Sequence, residues 1–217
     1  MRALIPSATL GVTLLTSLAL LGCREDPGDP DYPDYETTGE QDDGLPQGPD
    51  PYEEGEDRLS LGAFYEGDYS ELAEVDDLNV FYYIYDNTYT QGVDEQDVIE
   101  GRESAVIEIG SVGWWGGGIH PATTANLSDW TTLFVSFKSA DADVAVNLHF
   151  QGGGEFIVSA ADYGFVPDDT WHNLAIPLSD LTDQGWVSSA AESYFMMIGE
   201  GTSGSELKVD NLYYTAD

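Results

Sequence analysis

The fold is decided by the stretch LFVSFKSADADVAVNLHFQ, residues 133–151. Apolar side chains alternate with other side chains along both of its halves, as they do in a strand that has one buried and one solvated face. The apolar sets are Leu133, Val135 and Phe137 in the first half and Val144, Val146, Leu148 and Phe150 in the second. A turn at residues 139–143 separates the halves, so the pattern predicts an antiparallel hairpin.

Short β-rich segments separated by Gly, Asp and Ser clusters continue on both sides of this stretch. With the two strands above they make about eight, the others lying at residues 80–85, 104–109, 155–160, 171–178, 194–198 and 206–213. A short helical turn is expected within residues 181–191. The segment 59–217 has the length of a single domain. We therefore predict an all-β domain over residues 59–217, a two-sheet antiparallel β-sandwich of the jelly-roll type.

The first 22 residues have the pattern of a secretory signal peptide. Residues 4–21 are apolar apart from small hydroxyl residues, Gly and Pro6, which is too short and interrupted a run for a stable transmembrane helix. The segment ends Leu20-Leu21-Gly22-Cys23, which resembles the lipobox of bacterial lipoproteins. Cys23 is the only cysteine of the chain, so we expect cleavage before it and acylation with palmitate-type chains. The alternative is an ordinary cleaved signal with a chance cysteine.

Residues 23–58 are predicted to be the lipidated cysteine and a disordered linker. Residues 24–58 hold six of the ten prolines and fourteen acidic residues against two arginines. Such a segment buries too little apolar surface to order its backbone, and like charges extend it. A calcium-binding tail or an acidic decoy is the alternative, but no loop has EF-hand spacing. Arg24 rather than Asp follows the lipobox cysteine, which favours an outer-membrane or cell-surface location.

Residues 59–217 carry 27 acidic residues and three basic ones, a net charge of −24. No basic patch is available to neutralise phosphates, so nucleic acid is excluded as a partner. Attraction to anionic lipid is disfavoured for the same reason, and the membrane is expected to be reached through the lipid anchor only.

Six segments resemble, in the same order, the galactose-binding-like jelly rolls of carbohydrate-binding modules. They are IYDN (84–87), GRESAVI (101–107), WWGGGI (114–119), LSDWTTL (127–133), WHNLAIPLSDL (171–181) and LKVDNLY (207–213). The resemblance implies a non-catalytic domain that binds a polysaccharide or another glycan. It also implies one structural Ca²⁺, with Asp210 as the positional match and Asp86 as a looser candidate. The alternative for Asp210 is a strand-end carboxylate that accepts backbone hydrogen bonds.

The tryptophans divide into candidates for binding and candidates for the core. Trp114 and Trp115 are neighbours, so in a strand one is buried and the other presented, and the glycines after them allow close approach. The alternative is that both fill the core. Trp130 and Trp171 are predicted to be core residues, and Trp186 is left open.

A sugar site needs aromatic faces for stacking and polar groups for hydroxyls. The polar face of the predicted hairpin offers Asn147, His149 and Gln151, with Lys138 opposite. Tyr82, Tyr83 and Tyr85 are second-rank aromatic candidates, because some of these tyrosines must face outward. The alternative is an ordinary solvated face.

Catalysis is not expected. No strand carries an alternating pair of acids of the kind that glycosidases use, and no Gly-x-Ser-x-Gly or His-Glu-x-x-His motif occurs. Two functions remain at this point. One is a membrane-anchored lipoprotein that displays a carbohydrate-binding module, and the other is a structural or protein–protein interaction lipoprotein on the same fold with no sugar site.

Overall fold

The computed structural model describes residues 58–61, 73–75 and 78–216. These residues form twelve strands in two sheets. The strands are β1 (Arg58–Ser60), β2 (Ala73–Val75), β3 (Leu78–Ile84), β4 (Tyr89–Asp94), β5 (Ser104–Ile109), β6 (Trp114–Pro121), β7 (Thr132–Lys138), β8 (Ala145–Gln151), β9 (Glu155–Ser159), β10 (His172–Pro177), β11 (Phe195–Glu200) and β12 (Glu206–Thr215).

The first sheet has the order β10–β7–β12–β5–β4, and β1 pairs with the last residues of β12. The second sheet has the order β2–β3–β6–β11–β8–β9. Every one of these pairings is antiparallel. The predicted all-β, two-sheet antiparallel β-sandwich is confirmed.

The core is built from one side of each strand, because burial alternates along the strands. Ile107 and Phe137 of the first sheet and Trp115 and Leu148 of the second sheet have no exposed surface. The side chains between these positions point away from the core. Each sheet therefore has an outer face, and the candidate site lies on the outer face of the second sheet.

The predicted hairpin of residues 133–151 is wrong. β7 pairs with β10 and β12 in the first sheet, whereas β8 pairs with β9 and β11 in the second. The connection between them crosses from one sheet to the other and is held to the β11–β12 turn, where the Asp141 carboxylate accepts the Glu206 N–H at 2.9 Å. Alternation identifies the buried side of a strand but not its partner, which is why both halves were assigned correctly as strands and wrongly as neighbours.

The helical turn expected within residues 181–191 is confirmed as two short pieces. Helix α1 (Ser179–Thr182) follows β10, and a 3-10 turn follows at Ser188–Ala190. Two further 3-10 turns, Tyr85–Asn87 and Ala160–Tyr163, follow β3 and β9.

The expectations for the signal peptide, Cys23 and residues 24–57 of the acidic linker lie outside the described residues. The predicted linker end at residue 58 is wrong, because Arg58 pairs with Thr215 as the first residue of β1. Within the described ranges, no helix is long and apolar enough to cross a membrane.

Candidate functional site: the outer face of the second sheet

Strand β6 separates the two tryptophans as alternation predicts. Trp115 is completely buried and donates its indole N–H to the Glu200 carbonyl at 3.2 Å. Trp114 has 37% of its surface exposed and lies on the outer face, directly opposite Glu200 of β11. Trp114 is therefore the presented tryptophan of the pair, and Trp115 is a core residue.

An aromatic wall forms one side of the outer face. Phe81, Tyr83 and Tyr85 are alternate residues at the end of β3 and the start of the following turn, and Tyr83 is 49% exposed. The Phe81 and Tyr83 rings are 6.1 Å apart, and the Tyr83 ring meets the His120 ring edge-on at 5.8 Å. Tyr82, which lies between two members of the wall, faces the core.

Two glycines of β6 make room for the Tyr85 ring. A methyl group at Gly116 would lie 3.0 Å from Tyr85 Cδ2, and one at Gly118 would lie 2.8 Å from the Tyr85 hydroxyl. Any larger residue at these positions would push Tyr85 off the sheet. The glycines that follow Trp115 therefore allow another group to lie close to the sheet, as predicted, but this group is the Tyr85 side chain of the same protein and not a ligand.

The floor next to this wall is apolar. Strand β11 pairs with β6 and presents Met196 opposite Gly118 and Ile198 opposite Gly116. Met196 is only 4% exposed although it lies on the outer side of its strand, and Ile198 is partly exposed.

A hydrogen-bonding wall lies on the far side of the floor. Asn147, His149 and Gln151 are alternate residues of β8, and His149 Nδ1 contacts Glu155 Oε1 of β9 at 3.1 Å. Within the described part of the chain the side chains of Asn147 and Gln151 make no hydrogen bond, so their donors and acceptors are available to a ligand. Ile157, 52% exposed and opposite His149, continues the surface.

The interpretation that Lys138 lies opposite these three residues is wrong, because Lys138 is on the first sheet. Its ammonium group contacts Asp97 Oδ2 at 2.8 Å.

The basic residues of the described ranges are Arg58, Arg102, Lys138 and Lys208. All four belong to strands of the first sheet or to the loop between β4 and β5. The second-sheet outer face carries carboxylates such as Glu155 and Glu200 and no Lys or Arg from this set, so it repels polyanions.

The three remaining tryptophans have structural roles that only partly match the expectation. Trp130 is half-buried and packs against the core, as predicted. Trp171 is not a core residue: it is half-buried and donates its indole N–H to Asp97 Oδ1 at 2.7 Å. Trp186 is 3% exposed and packs edge-on against Phe150 with ring centroids 5.6 Å apart.

Asp210 is a fully buried carboxylate held by backbone amides. Its Oδ2 accepts the N–H of Ile99 at 2.6 Å and of Glu100 at 3.2 Å, and its Oδ1 accepts the N–H of Asn211 at 2.7 Å. Asp86 is exposed in the left-handed turn after β3, on the other sheet. Among the described residues, no three acidic, His or Cys side chains come together as a metal site. Calcium binding at Asp210 and Asp86 stays a prediction.

A depression of about 580 Å³ lies on the opposite side of the molecule, over β4, β5 and β12. Its charged lining residues are Asp94, Glu95, Glu108, Glu206 and Lys208. No aromatic side chain lines it, so it lacks the stacking surface that the second-sheet outer face has.

Sequence reasoning did not place His120 and Met196 on this face, and it did not single out Tyr85 among the three tyrosine candidates. Their roles depend on the register between β3, β6 and β11, where Phe81 lies opposite His120 and Met196 opposite Gly118. Alternation alone would have placed His120 on the side of Trp114.

Comparisons with known proteins concern the fold. No protein-family model matches the sequence, and no curated protein matches it. Among solved structures, the chain is similar to a family 30 carbohydrate-binding module at 16% identity, covering 73% of this chain and 84% of that one with a TM-score of 0.48. It is similar to the family 30 module of a cellulosomal cellulase of Clostridium thermocellum at 17% identity, with coverage of 71% and 92% and a TM-score of 0.47. A family 11 module of a second cellulosomal cellulase of that organism has 15% identity, coverage of 69% and 97%, and a TM-score of 0.45.

Proposed function

We propose that the second-sheet outer face binds a polysaccharide or another glycan without catalysing a reaction on it. We propose further that the chain is a lipoprotein, anchored through Cys23, that displays this face outside the cell. The anchor rests on the Leu20-Leu21-Gly22-Cys23 sequence and on Cys23 being the only cysteine.

One observation carries the proposal for the face: an exposed aromatic residue and a hydrogen-bonding wall share one surface across an apolar floor. Tyr83 lies opposite Gly118, Gly118 opposite Met196, and the register of β11 with β8 brings Met196 beside His149. Aromatic rings and apolar floors cover the C–H faces of sugars, and amide and imidazole groups bond their hydroxyls. A sheet face that contacts only solvent requires neither an exposed aromatic residue nor an apolar floor.

The charge of the face restricts the ligand. Because the described Lys and Arg residues lie with the first sheet, polysaccharides rich in uronate or sulfate meet carboxylates without a compensating cation. An uncharged glycan is therefore favoured over a polyanionic one.

The test is binding of the full chain to a panel of plant, algal and bacterial polysaccharides, followed by calorimetry on the best binder. Tyr83→Ala is expected to weaken binding about tenfold or more, because it removes an exposed aromatic anchor. The matched control is Val93→Ala, an exposed apolar residue of β4 on the first sheet (46% exposed) that should leave affinity unchanged. Absence of binding across the panel would contradict the proposal and favour the protein–protein alternative.

A further inference from the structure

Within the aromatic wall, Tyr85 and His120 form a hydrogen bond whose direction can be deduced. The Tyr85 hydroxyl lies 2.6 Å from His120 Nε2, and His120 Nδ1 lies 3.2 Å from the backbone carbonyl oxygen of Glu192. A carbonyl oxygen only accepts, so Nδ1 must carry a proton. In the neutral imidazole Nε2 is then the unprotonated nitrogen, and the Tyr85 hydroxyl donates to it.

We infer that His120 is a positioning residue that holds the Tyr85 hydroxyl as a hydrogen-bond acceptor for the ligand, and that protonation of His120 reverses this polarity. This inference rests on the proposed glycan-binding function. While His120 is neutral, the hydroxyl hydrogen of Tyr85 is engaged by Nε2 and the oxygen offers its lone pairs. Once Nε2 is protonated, it donates to that oxygen, and the hydroxyl hydrogen must point elsewhere.

The surroundings of Tyr85 decide where the hydrogen can go. Its neighbours along the row on β6 and β11, Gly116 and Ile198, offer no side-chain acceptor. The acceptors that remain are the ligand, solvent and the Phe195 carbonyl oxygen, which borders the same space above Gly118. In each case a sugar hydroxyl that donates to Tyr85 at neutral pH loses the orientation of the Tyr85 hydroxyl that received it.

The groups that face His120 favour its neutral form. Tyr83 and Tyr85 approach it from β3 and the following turn, the Glu192 carbonyl from the segment before β11, and the residue across from it, Tyr194, is buried. None of these contacts brings a carboxylate to the ring, and burial lowers the pKa of His120. The reversal is thus expected at a lower pH than that at which an ordinary histidine is protonated.

The hydrogen-bond direction can be measured without any ligand. The chain has three histidines, so a full-length protein labelled with ¹⁵N-histidine gives a simple two-bond ¹H–¹⁵N spectrum. We expect His120, assigned by its loss in His120→Gln, to show the Nδ1–H tautomer at pH 7.5. An Nε2–H tautomer at that pH would overturn the inference.

The effect on binding is measured with a β-1,3-1,4-mixed-linked glucan tetrasaccharide and with the best binder of the polysaccharide panel. Affinity should fall about threefold to tenfold between pH 7.5 and pH 5, because a change of this size corresponds to the net free energy of one hydrogen bond. His120→Gln places a carbonyl oxygen that can accept from Tyr85, so it should keep the affinity at pH 7.5 and remove the pH dependence. His149→Gln, which changes the other histidine of the face, should retain the dependence.

The outcomes separate the two proposals. A dependence that persists in His120→Gln, or disappears in His149→Gln, would overturn the positioning role of His120 while leaving glycan binding intact. A panel with no binder would overturn the proposed function, and the tautomer measurement would still decide the direction of the Tyr85–His120 bond.

Discussion

Lys138 and Lys208 lie directly opposite each other on β7 and β12, and both ammonium groups contact the same oxygen, Oδ2 of Asp97. The two distances are 2.8 and 2.6 Å. Like charges opposite each other on neighbouring strands repel, and a shared carboxylate turns the repulsion into attraction. The second oxygen of Asp97 accepts the Trp171 indole N–H. Asp97 therefore fixes the β4–β5 loop over the outer face of the first sheet.

Replacing Asp97 should destabilise the domain. Asp97→Ala removes the carboxylate that the two lysines share and the acceptor of the Trp171 indole. Asp94 still contacts Lys208 at 2.6 Å and Asp169 lies 3.6 Å from Lys138, so we expect the free energy of unfolding to fall by only about 1–2 kcal/mol. Urea denaturation followed by tryptophan fluorescence measures the change. Asp162→Ala, an exposed acid in the turn after β9, is the control and should stay within about 0.5 kcal/mol of the parent protein. Equal losses in both variants would contradict the role of Asp97.

Asp210 should give the domain a stability that declines as the pH rises towards neutrality. Burial raises the pKa of Asp210 to about 7, and the charge of Glu100 adds to the rise against the opposing effect of three backbone N–H groups. An unfolded Asp titrates near 4, so between roughly pH 4 and pH 7 the native state binds more protons than the unfolded state, and stability falls as pH increases.

The comparison that isolates this group is Asp210→Asn against the parent protein, with the free energy of unfolding measured at pH 4.5 and pH 7.5. The variant is expected to lose stability at pH 4.5, because an amide cannot accept all three N–H groups, and to show the smaller decline between the two pH values. An unchanged decline would mean that other groups cause it.

The strands of the domain could be predicted well because their burial alternates, whereas their arrangement could not. Residues 133–138 and 144–150 were recognised as strands from their side chains, but the sheet to which each belongs depends on long-range pairing that leaves no local signal. Strands β1, β2, β4 and β6 were not among the eight predicted strands. Strand β4 was missed because its sequence, YTQGVD, mixes polar residues with a glycine and does not alternate clearly.

The candidate site, like the fold, could be predicted from the sequence only in part. Alternation predicted that Trp114 and Trp115 separate and that Asn147, His149 and Gln151 share a face. It could not predict that Tyr85 folds across Gly116 to reach His120, since this depends on the register of β3 with β6 and on a left-handed turn at Asp86, where φ is 50°.

Gly117 should be the least replaceable of the three glycines after Trp115. A methyl group there would lie 2.1 Å from the Tyr89 hydroxyl and 2.8 Å from the Tyr83 carbonyl oxygen, and both neighbours are held by the fold. Gly117→Ala is expected to cost about 1–3 kcal/mol of stability. Gly92→Ala in β4 is the matched control, because nothing lies within 4 Å of its added methyl group. Thermal unfolding of both variants is the measurement, and equal Tm values would contradict the close contact.

Calcium dependence follows from the family resemblance at Asp210 and Asp86. If one Ca²⁺ is bound, removing it with a chelator should lower the Tm, and adding Ca²⁺ but not Mg²⁺ should restore it. Two carboxylates supply at most four oxygens, so main-chain carbonyls would have to complete the six to eight oxygen ligands of Ca²⁺. The three backbone N–H groups that Asp210 accepts would compete with the ion. A Tm that is the same after exhaustive chelation would reject the calcium prediction.

If Cys23 carries the lipid anchor, replacing its sulfur atom should release the protein from the membrane. Cys23→Ser replaces sulfur by oxygen and removes the thioether to which the diacylglyceryl group would be attached, so the variant should lose radiolabelled palmitate and leave the membrane fraction. Arg24→Lys is the control that keeps both the cysteine and the charge next to it, and it should remain membrane-bound and labelled. Detergent phase partitioning of the two variants supplies the measurement. If Cys23→Ser still partitions into detergent, the protein is attached to the membrane by something other than an acylated Cys23, and the lipoprotein proposal is wrong.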